Sequence, residues 1–394
     1  MNTKLLLPEV QKFIFDNLDK DLNKVILKGS PFEGIRIQDL AQQIEGKQKA
    51  KKKLPLWFAT ENILFPPKLN LEQTSSEPTA LYKSALVTGD SLIDLTGGFG
   101  IDASYFSKSV NKVVHCELNP ELSDLVKHNA AILGIENLST FKGDSFETLK
   151  ETKQHFDWIY IDPSRRNDVK GKVFLLEDCV PNVPQNLDFL FEYTDRILLK
   201  NSPILDIQNT INALNFVKEI HVVAVQNEVK ELLFVLEKNY TAPITVKTCN
   251  LQKNNTQNFE FELGPHSHAN YALPASYLYE PNAAILKSGA FHQIATHFNL
   301  HKLEQHSHLY TSEQLLKDFP GRSFLIEQIL PYDKKQLLKA LPEKKANISI
   351  RNFPETVAQI RKKTKIKDGG SVYLFFTTNL ESKRMVLKCR KVQL

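Results

Sequence analysis

Cysteine is scarce in this chain: four in 394 residues, at Cys116, Cys179, Cys249 and Cys389, with no C-x-x-C pair. That scatter excludes a disulfide framework and a structural zinc site, and it suits a reducing cytoplasm. Long apolar runs are missing as well. None approaches the roughly 20 residues that cross a bilayer, so no membrane partner is expected. The opening Met1-Asn-Thr-Lys-Leu-Leu-Leu-Pro8 is too short for the apolar core of a secretory leader. There is no internal repeat and no low-complexity tract. Seven histidines fall between His266 and His308, with His297 and His301 at i, i+4 spacing, but no H-E-x-x-H or companion cysteine accompanies them. No metal is expected.

Excess charge is small overall and uneven. From Leu341 onward there are 13 Lys/Arg against 4 Asp/Glu, a net +9, which leaves −4 for the remainder of a chain that totals +5. A slightly acidic body with a basic C-terminal module points to one part that holds a cofactor and another that meets a polyanion. The basic positions cluster at Arg361, Lys362, Lys363, Lys365 and Lys367, and again at Lys383, Arg384, Lys388, Arg390 and Lys391. A solvated lysine face is the alternative.

What is present is organised around residues 91–166. Ser91-Leu-Ile-Asp94-Leu95 reads as a buried parallel strand, followed by Thr96-Gly97-Gly98-Phe99-Gly100 and a helical pattern from Ile101. A strand, a glycine loop and a helix in this order make a mononucleotide-binding turn. After the next strand, Val113-Val-His-Cys116, Glu117 stands where a carboxylate accepts two ribose hydroxyls. Gly98-x-Gly100-x-x-Ala103 also fits nicotinamide and flavin folds. Three features favour S-adenosylmethionine instead. Asp94 ends the first strand, where it suits an ammonium and a sulfonium better than a pyrophosphate. Gly143-Asp144-Ser145 gives a second acidic turn for an adenine amine. Asp162-Pro163 follows the fourth strand, beside the expected methyl group. Together these resemble the class I methyltransferases.

Along the chain, residues 1–70 read as a helical region separate from the catalytic sheet. Its basic run Lys47-Gln-Lys-Ala-Lys-Lys-Lys53 lies beside Trp57 and Phe58. That run suits either phosphate contacts with a stacking aromatic or a solvated helix end with Trp57 in the core. Residues 71–245 alternate strand and helix, giving five parallel strands and a terminal antiparallel hairpin over 219–225 and 229–236. Residues 246–275 read as an irregular connector with strand pieces such as Asn258-Phe-Glu-Phe-Glu-Leu263, 276–320 as a small domain and 321–394 as an α+β module.

Methyl transfer from a sulfonium is a direct displacement, and positioning supplies most of the rate. Asp162-Pro163-Ser164-Arg165 is the candidate catalytic segment: the carboxylate of Asp162 and the carbonyl of Pro163 would accept the hydrogens of a base amine. Amine methyltransferases with an Asp/Asn-Pro-Pro-aromatic motif stack their fourth residue on the base. Here Arg165 takes that place, and a guanidinium stacks on a base or forks onto a phosphate. Cytosine C5 chemistry needs a cysteine nucleophile, which Leu199-Lys-Asn-Ser-Pro203 lacks.

Asp94-Leu-Thr-Gly-Gly-Phe-Gly-Ile-Asp102, Asp162-Pro-Ser-Arg-Arg166, Tyr279-Glu-Pro-Asn-Ala-Ala284 and Lys365-Ile-Lys-Asp-Gly-Gly370 occur in this order. With them the chain resembles, over nearly its whole length, bacterial class I methyltransferases that carry C-terminal ferredoxin-like and THUMP-like domains. Its core is similar to the cap-guanine N2 methyltransferases, from whose Asp-Pro-Pro-Trp it departs at Ser164 and Arg165. The resemblance implies an α/β, Rossmann-like methyltransferase sheet with a C-terminal α+β THUMP-like module, S-adenosylmethionine as cofactor, and structured RNA (tRNA or rRNA) as partner. The expected cofactor residues are Asp94, Thr96, Gly97, Gly98, Gly100, Glu117, Asp144 and Ser145. The expected RNA contacts include Arg361, Lys362, Lys363, Lys365, Lys367, Lys388 and Arg390. A protein or small-molecule methyltransferase, and a non-catalytic RNA-binding protein, are the rival classes.

Overall fold

In the computed structural model, which describes residues 2–165, 175–264 and 268–393, contacts divide the chain into two units. The first is Met1–Glu219 with Lys230–Ala242, and the second is Ile220–Val229 with Pro243–Leu394. No helix among the described residues is long and apolar enough to cross a membrane.

The first unit is built on β1 (Ser91–Asp94), β2 (Lys112–Glu117), β3 (Leu138–Lys142), β4 (Trp158–Ile161) and β5 (Arg196–Asn201). These are parallel, in the order β3-β2-β1-β4-β5. All four residues of β1 and of β4 are buried, as continuous apolar runs covered on both faces should be. After β6 (Val217–Val225), the two-residue turn Gln226-Asn227, with φ of 52° and 64°, leads into β7 (Glu228–Glu237). Positive φ at both positions matches strand twist in a hairpin. β7 then lies antiparallel beside β5. The order reverses between β1 and β4, and a crevice opens outside the carboxyl ends of the strands there.

The N-terminal helices are not a separate region, contrary to the sequence expectation. α1 (Pro8–Asp16), α2 (Leu22–Leu27), α3 (Ile37–Lys53), α4 (Pro55–Ala59) and α5 (Lys68–Gln73) precede α6 (Glu77–Ser84), α7 (Ile101–Phe106) and α8 (Pro120–Ile132). Val10, Ile14, Leu40, Ile44 and Trp57 share one apolar cluster with Phe99, Ile101, Tyr105, Leu122 and Leu125. The physical reason is size: short amphipathic helices cannot enclose a core alone, and α7 and α8 offer them an apolar face. Trp57 is 1% exposed, its ring 5.0 Å from that of Phe99. It is therefore a core residue and no stacking platform for a base. Lys47 to Lys53 form the C-terminal end of α3.

In the second unit, the strand piece expected at 258–263 is present and pairs with a preceding strand that the sequence did not announce. β8 (Thr245–Leu251) and β9 (Thr256–Glu262) pair antiparallel, Thr248 opposite Phe259. Polar composition hid β8, but its polar groups are used internally. Thr248 Oγ1 donates to Phe259 O (3.0 Å) and Asn250 Nδ2 to Gln257 Oε1 (3.0 Å). Seven further strands follow: β10 (Tyr277–Pro281), β11 (His301–Lys302), β12 (Tyr310–Ser312), β13 (Gly321–Pro331), β14 (Asn347–Arg351), β15 (Val372–Thr378) and β16 (Arg384–Lys391). They form one sheet, ordered β11-β12-β10-β13-β16-β15-β14. The segments 276–320 and 321–394 are thus joined through β10 and β13, with Leu278 opposite Phe324. The helices Lys334–Ala340 and Val357–Thr364 bury Leu337 and Ile360 in a cluster with Leu374, Phe376 and Val386 of that sheet.

Candidate active site

The crevice of the first unit is a cavity of about 790 Å³ walled by the ends of β1 to β5 and the loops that follow them. Its floor is Asp94, 1% exposed, whose Oδ1 accepts hydrogen bonds from Thr96 N (2.9 Å) and Thr96 Oγ1 (3.3 Å). The same hydroxyl accepts one from Asp162 N at 2.7 Å. One threonine side chain therefore ties the end of β1 to the end of β4. Burial pushes the Asp94 carboxyl well above its ordinary pKa against the pull of the Thr96 bonds, and neighbouring Asp102 and Asp162 add to the rise.

Loop 95–100 is clamped onto β2. Gly97 N donates to Cys116 O at 2.9 Å, and a Cβ at Gly97 would lie 2.3 Å from the ring of His115. No side chain fits there. His115 is wholly buried, which drops its pKa to about 4. Gly100, at φ 73°, begins α7 with its α-carbon facing Val126, which a Cβ would meet at 2.6 Å. Gly98 N donates to Glu117 Oε2 at 2.8 Å, while Asn119 N holds Glu117 Oε1 at 2.7 Å. Asp144 caps the helix Ser145–Thr152, its Oδ1 accepting from Phe146 N (2.9 Å) and Glu147 N (3.1 Å). Leu118, 69% exposed, lines the same cavity. Asp94, Thr96, Gly97, Gly98, Gly100, Glu117, Asp144 and Ser145 all line this one cavity, with Asp162, Pro163 and Ser164.

The carboxylate of Asp162 is engaged, which the sequence did not reveal. Lys200, the fifth residue of β5, pairs its ammonium with Asp162 Oδ2. Burial pulls the Lys200 pKa down, but Asp162, Glu231 and Asp102 outweigh it and hold it above the ordinary value. Behind this pair lies a buried charge array. Lys83 of α6, fully buried, donates to both oxygens of Glu231 (2.8 and 2.9 Å) and to Ser75 Oγ (3.0 Å), and lies 3.3 Å from Asp102. Asp102 Oδ2 also accepts from Tyr160 OH (2.7 Å) and Ser75 Oγ (2.8 Å). Burial raises the Asp102 pKa, yet Lys83, Lys200 and these two hydroxyls bring the balance below the usual value. Glu231 stays raised by its burial, with Lys83 opposing. Beside Lys200, Asn201 is 3% exposed and lines the cavity, and its Nδ2 has no hydrogen-bond partner among the described residues.

Ser164 and Arg165 form a two-residue strand opposite Val180 and Cys179. The Arg165 side chain and Arg166 lie outside the described residues, so the expected guanidinium contact falls there too. Cys179 joins the cavity wall but is 6% exposed, its thiol directed at Leu175 O (3.9 Å).

In the second unit the basic residues have mixed surroundings. The Arg361 guanidinium binds Asp368 (2.5 Å), Ile366 O (3.0 Å) and Ala346 O (3.3 Å), tying the helix Val357–Thr364 to the segments before and after it. Lys363 pairs with Glu355 (2.7 Å), and Lys388 and Arg390 approach Glu327 at 3.8 and 3.5 Å. Lys362, Lys365 and Lys367 are exposed. Among the described residues no three His, Cys, Asp or Glu side chains group as metal ligands. His308 stacks on Phe291 at 3.7 Å and His297 meets Phe259 edge-on at 5.4 Å, while His266 lies outside the described residues.

Three family models match the chain: a ferredoxin-like domain over residues 277–320, a THUMP domain-like family over 321–391, and conserved hypothetical protein 95 over 81–178. The chain is similar along its length to a crystal structure from Porphyromonas gingivalis W83 provisionally described as a methyltransferase. The two are 33% identical, with 100% of this chain and 99% of that one covered and a TM-score of 0.86. An uncharacterized RNA methyltransferase of Caldanaerobacter subterraneus subsp. tengcongensis is 32% identical over 104 residues, which is 26% of this chain and 22% of that protein. The chain thus spans less than a quarter of the curated relative it matches.

Proposed function

Because this chain belongs to the bacterial class I methyltransferases with C-terminal ferredoxin-like and THUMP-like domains, we propose that it transfers a methyl group from S-adenosylmethionine to structured RNA. The observation that carries this is the grouping of Asp94, Glu117, Asp144 and Asp162 around one cavity at the strand ends. Its 790 Å³ falls in the roughly 300–1,000 Å³ range of small-molecule sites. The donor set suits the ligand. Asp94 faces an ammonium, Glu117 accepts ribose hydroxyls, Asp144 accepts an adenine amine, and the exposed Leu118 gives a flat ring an apolar surface. When bound, S-adenosylmethionine supplies an electrophilic methyl group on sulfur. The chain's part is to hold the acceptor in line and take its proton.

Calorimetry with S-adenosylmethionine and its demethylated product tests the cofactor; binding of NAD and neither of these would sink it. Glu117→Ala is expected to weaken binding by about 1–3 kcal/mol, the worth of charge-assisted hydrogen bonds. An unchanged affinity would take Glu117 out of the site. The raised pKa of Asp94 gives a sign for pH. A cation favours the ionised carboxylate and burial the protonated one, so binding and proton release are coupled where Asp94 titrates. Affinity should therefore increase as pH rises, with proton release visible in buffers of different ionisation enthalpy. Asp94→Asn should flatten that dependence.

RNA is supported by the THUMP domain-like match and by the net +9 after Leu341. The name of the curated relative, an RNA methyltransferase, points the same way. A protein or small-molecule methyltransferase would keep its activity when RNA is removed, and base-resolved mapping of cellular RNA with and without the gene decides between them. The base-amine acceptor suggested by Asp162-Pro163 meets one difficulty: Lys200 already sits on that carboxylate.

A further inference from the structure

We propose that the group methylated at this site is a ribose 2′-hydroxyl of RNA, held between Asp162 and Lys200; this rests on the RNA methyltransferase reading above. Lys200 occupies Asp162 Oδ2, and Oδ1 accepts no hydrogen bond among the described residues. The acceptor end of the cavity therefore presents a carboxylate oxygen beside an ammonium donor. A hydroxyl matches both, giving its proton to one and a lone pair to the other. An exocyclic base amine, its lone pair delocalised into the ring, offers two donors and would turn N–H groups toward N–H groups.

Charge points the same way. A nitrogen attacking a sulfonium gains positive charge as the bond forms, and here it would do so beside a lysine held protonated by its surroundings. A hydroxyl loses its proton as it attacks, and a fixed ammonium stabilises the developing alkoxide. In the balanced step the hydroxyl oxygen forms the O–CH3 bond while the donor's S–CH3 bond breaks. Sulfur keeps the electron pair as a neutral thioether, and the hydroxyl proton passes to Asp162 Oδ1.

Two further observations fit a sugar rather than a base. Asn201 Nδ2, buried and unpartnered in the same wall, adds a second donor for an oxygen-rich ligand such as the sugar–phosphate backbone. The cavity's aromatic residues among those described are Phe99 (2% exposed), Tyr160 (1% exposed) and Phe146, which neighbours Asp144 in sequence. Phe99 and Tyr160 are too deeply buried to offer a ring face to a splayed base, and the Tyr160 hydroxyl is spent on Asp102. Lys200 is also fixed from behind, since Glu231 and Asp102 face it and are themselves held by Lys83, Ser75 and Tyr160.

The test is to incubate the full-length protein with methyl-labelled S-adenosylmethionine and total RNA from cells lacking the gene, then digest to nucleosides and locate the label by mass spectrometry. Label on the ribose is the expected result. Label on a base overturns the hydroxyl acceptor and leaves the RNA methyltransferase standing. Label in no RNA, with S-adenosylmethionine bound, overturns both. Lys200→Met should lower kcat at least ~100-fold with cofactor affinity within about twofold, and Lys200→Arg should recover part of the rate. A Lys200→Met protein with near-native kcat would also overturn the assignment.

Discussion

Asp162→Asn is expected to lower methyl transfer by about 10²–10⁴-fold, the usual worth of a positioned proton acceptor, while leaving cofactor affinity nearly unchanged. The amide keeps the size of the carboxylate but cannot take a proton at neutral pH. The backbone around it should hold, because Asp162 N is bound to Thr96 Oγ1 through the main chain. The side chain is a third exposed, so water can reach Lys200 where the carboxylate charge is lost. Rates in single turnover, alongside calorimetric affinity, separate the two effects. Loss of cofactor binding in step with activity would instead make Asp162 a residue of the cofactor site or of folding.

Lys83→Met is expected to destabilise the first unit by about 3–5 kcal/mol, because it leaves buried carboxylates without their counter-charge. Methionine replaces the stem of the lysine, so the deficit comes from charge rather than volume. Glu231, 2% exposed, loses both short contacts, and Asp102 loses its nearest cation. Burial already holds Glu231 above its ordinary pKa with Lys83 resisting, so the substitution raises it further. A carboxyl with a folded pKa above its unfolded value favours the folded state when protonated. The deficit should therefore narrow as pH falls from about 8 toward 5. Urea denaturation at both ends checks magnitude and sign, and equal deficits at both would remove Glu231 as the source.

The sequence showed the strands and the glycine loop because their signals are local. Continuous apolar runs ended at Asp94, Cys116 and Ile161, and acidic residues stood at the ends that face the crevice. It did not show Lys83, Lys200 and Glu231 as one array, because these lie on a helix and two strands far apart in the chain and meet only when the sheet forms. A signal was present nonetheless. Glu231 interrupts the strand Val229-Lys-Glu-Leu-Leu-Phe234, and Lys200 ends the run Ile197-Leu-Leu. A charge inside an apolar strand is almost never fully buried without a partner. The N-terminal helices were misjudged as separate for a related reason. Their amphipathic faces announce that something is covered, but not that it is Phe99 and Tyr105. Strand β8 was obscured because Thr248 and Asn250 are polar, and their bonds to Phe259 O and Gln257 form only when β8 pairs with β9.

The joining of β10 to β13 bears on how the C-terminal half can be divided. Two family descriptions meet at residues 320 and 321, yet the hydrogen-bonded ladder crosses that point from Tyr277–Leu325 to Pro281–Gly321. A chain cut there would bare one edge of β10, and a bare strand edge is a template for pairing with another copy. The two segments are strands of one sheet under two names. Neither is a portable part, and their separate contributions are better sought by single side-chain changes than by deletion.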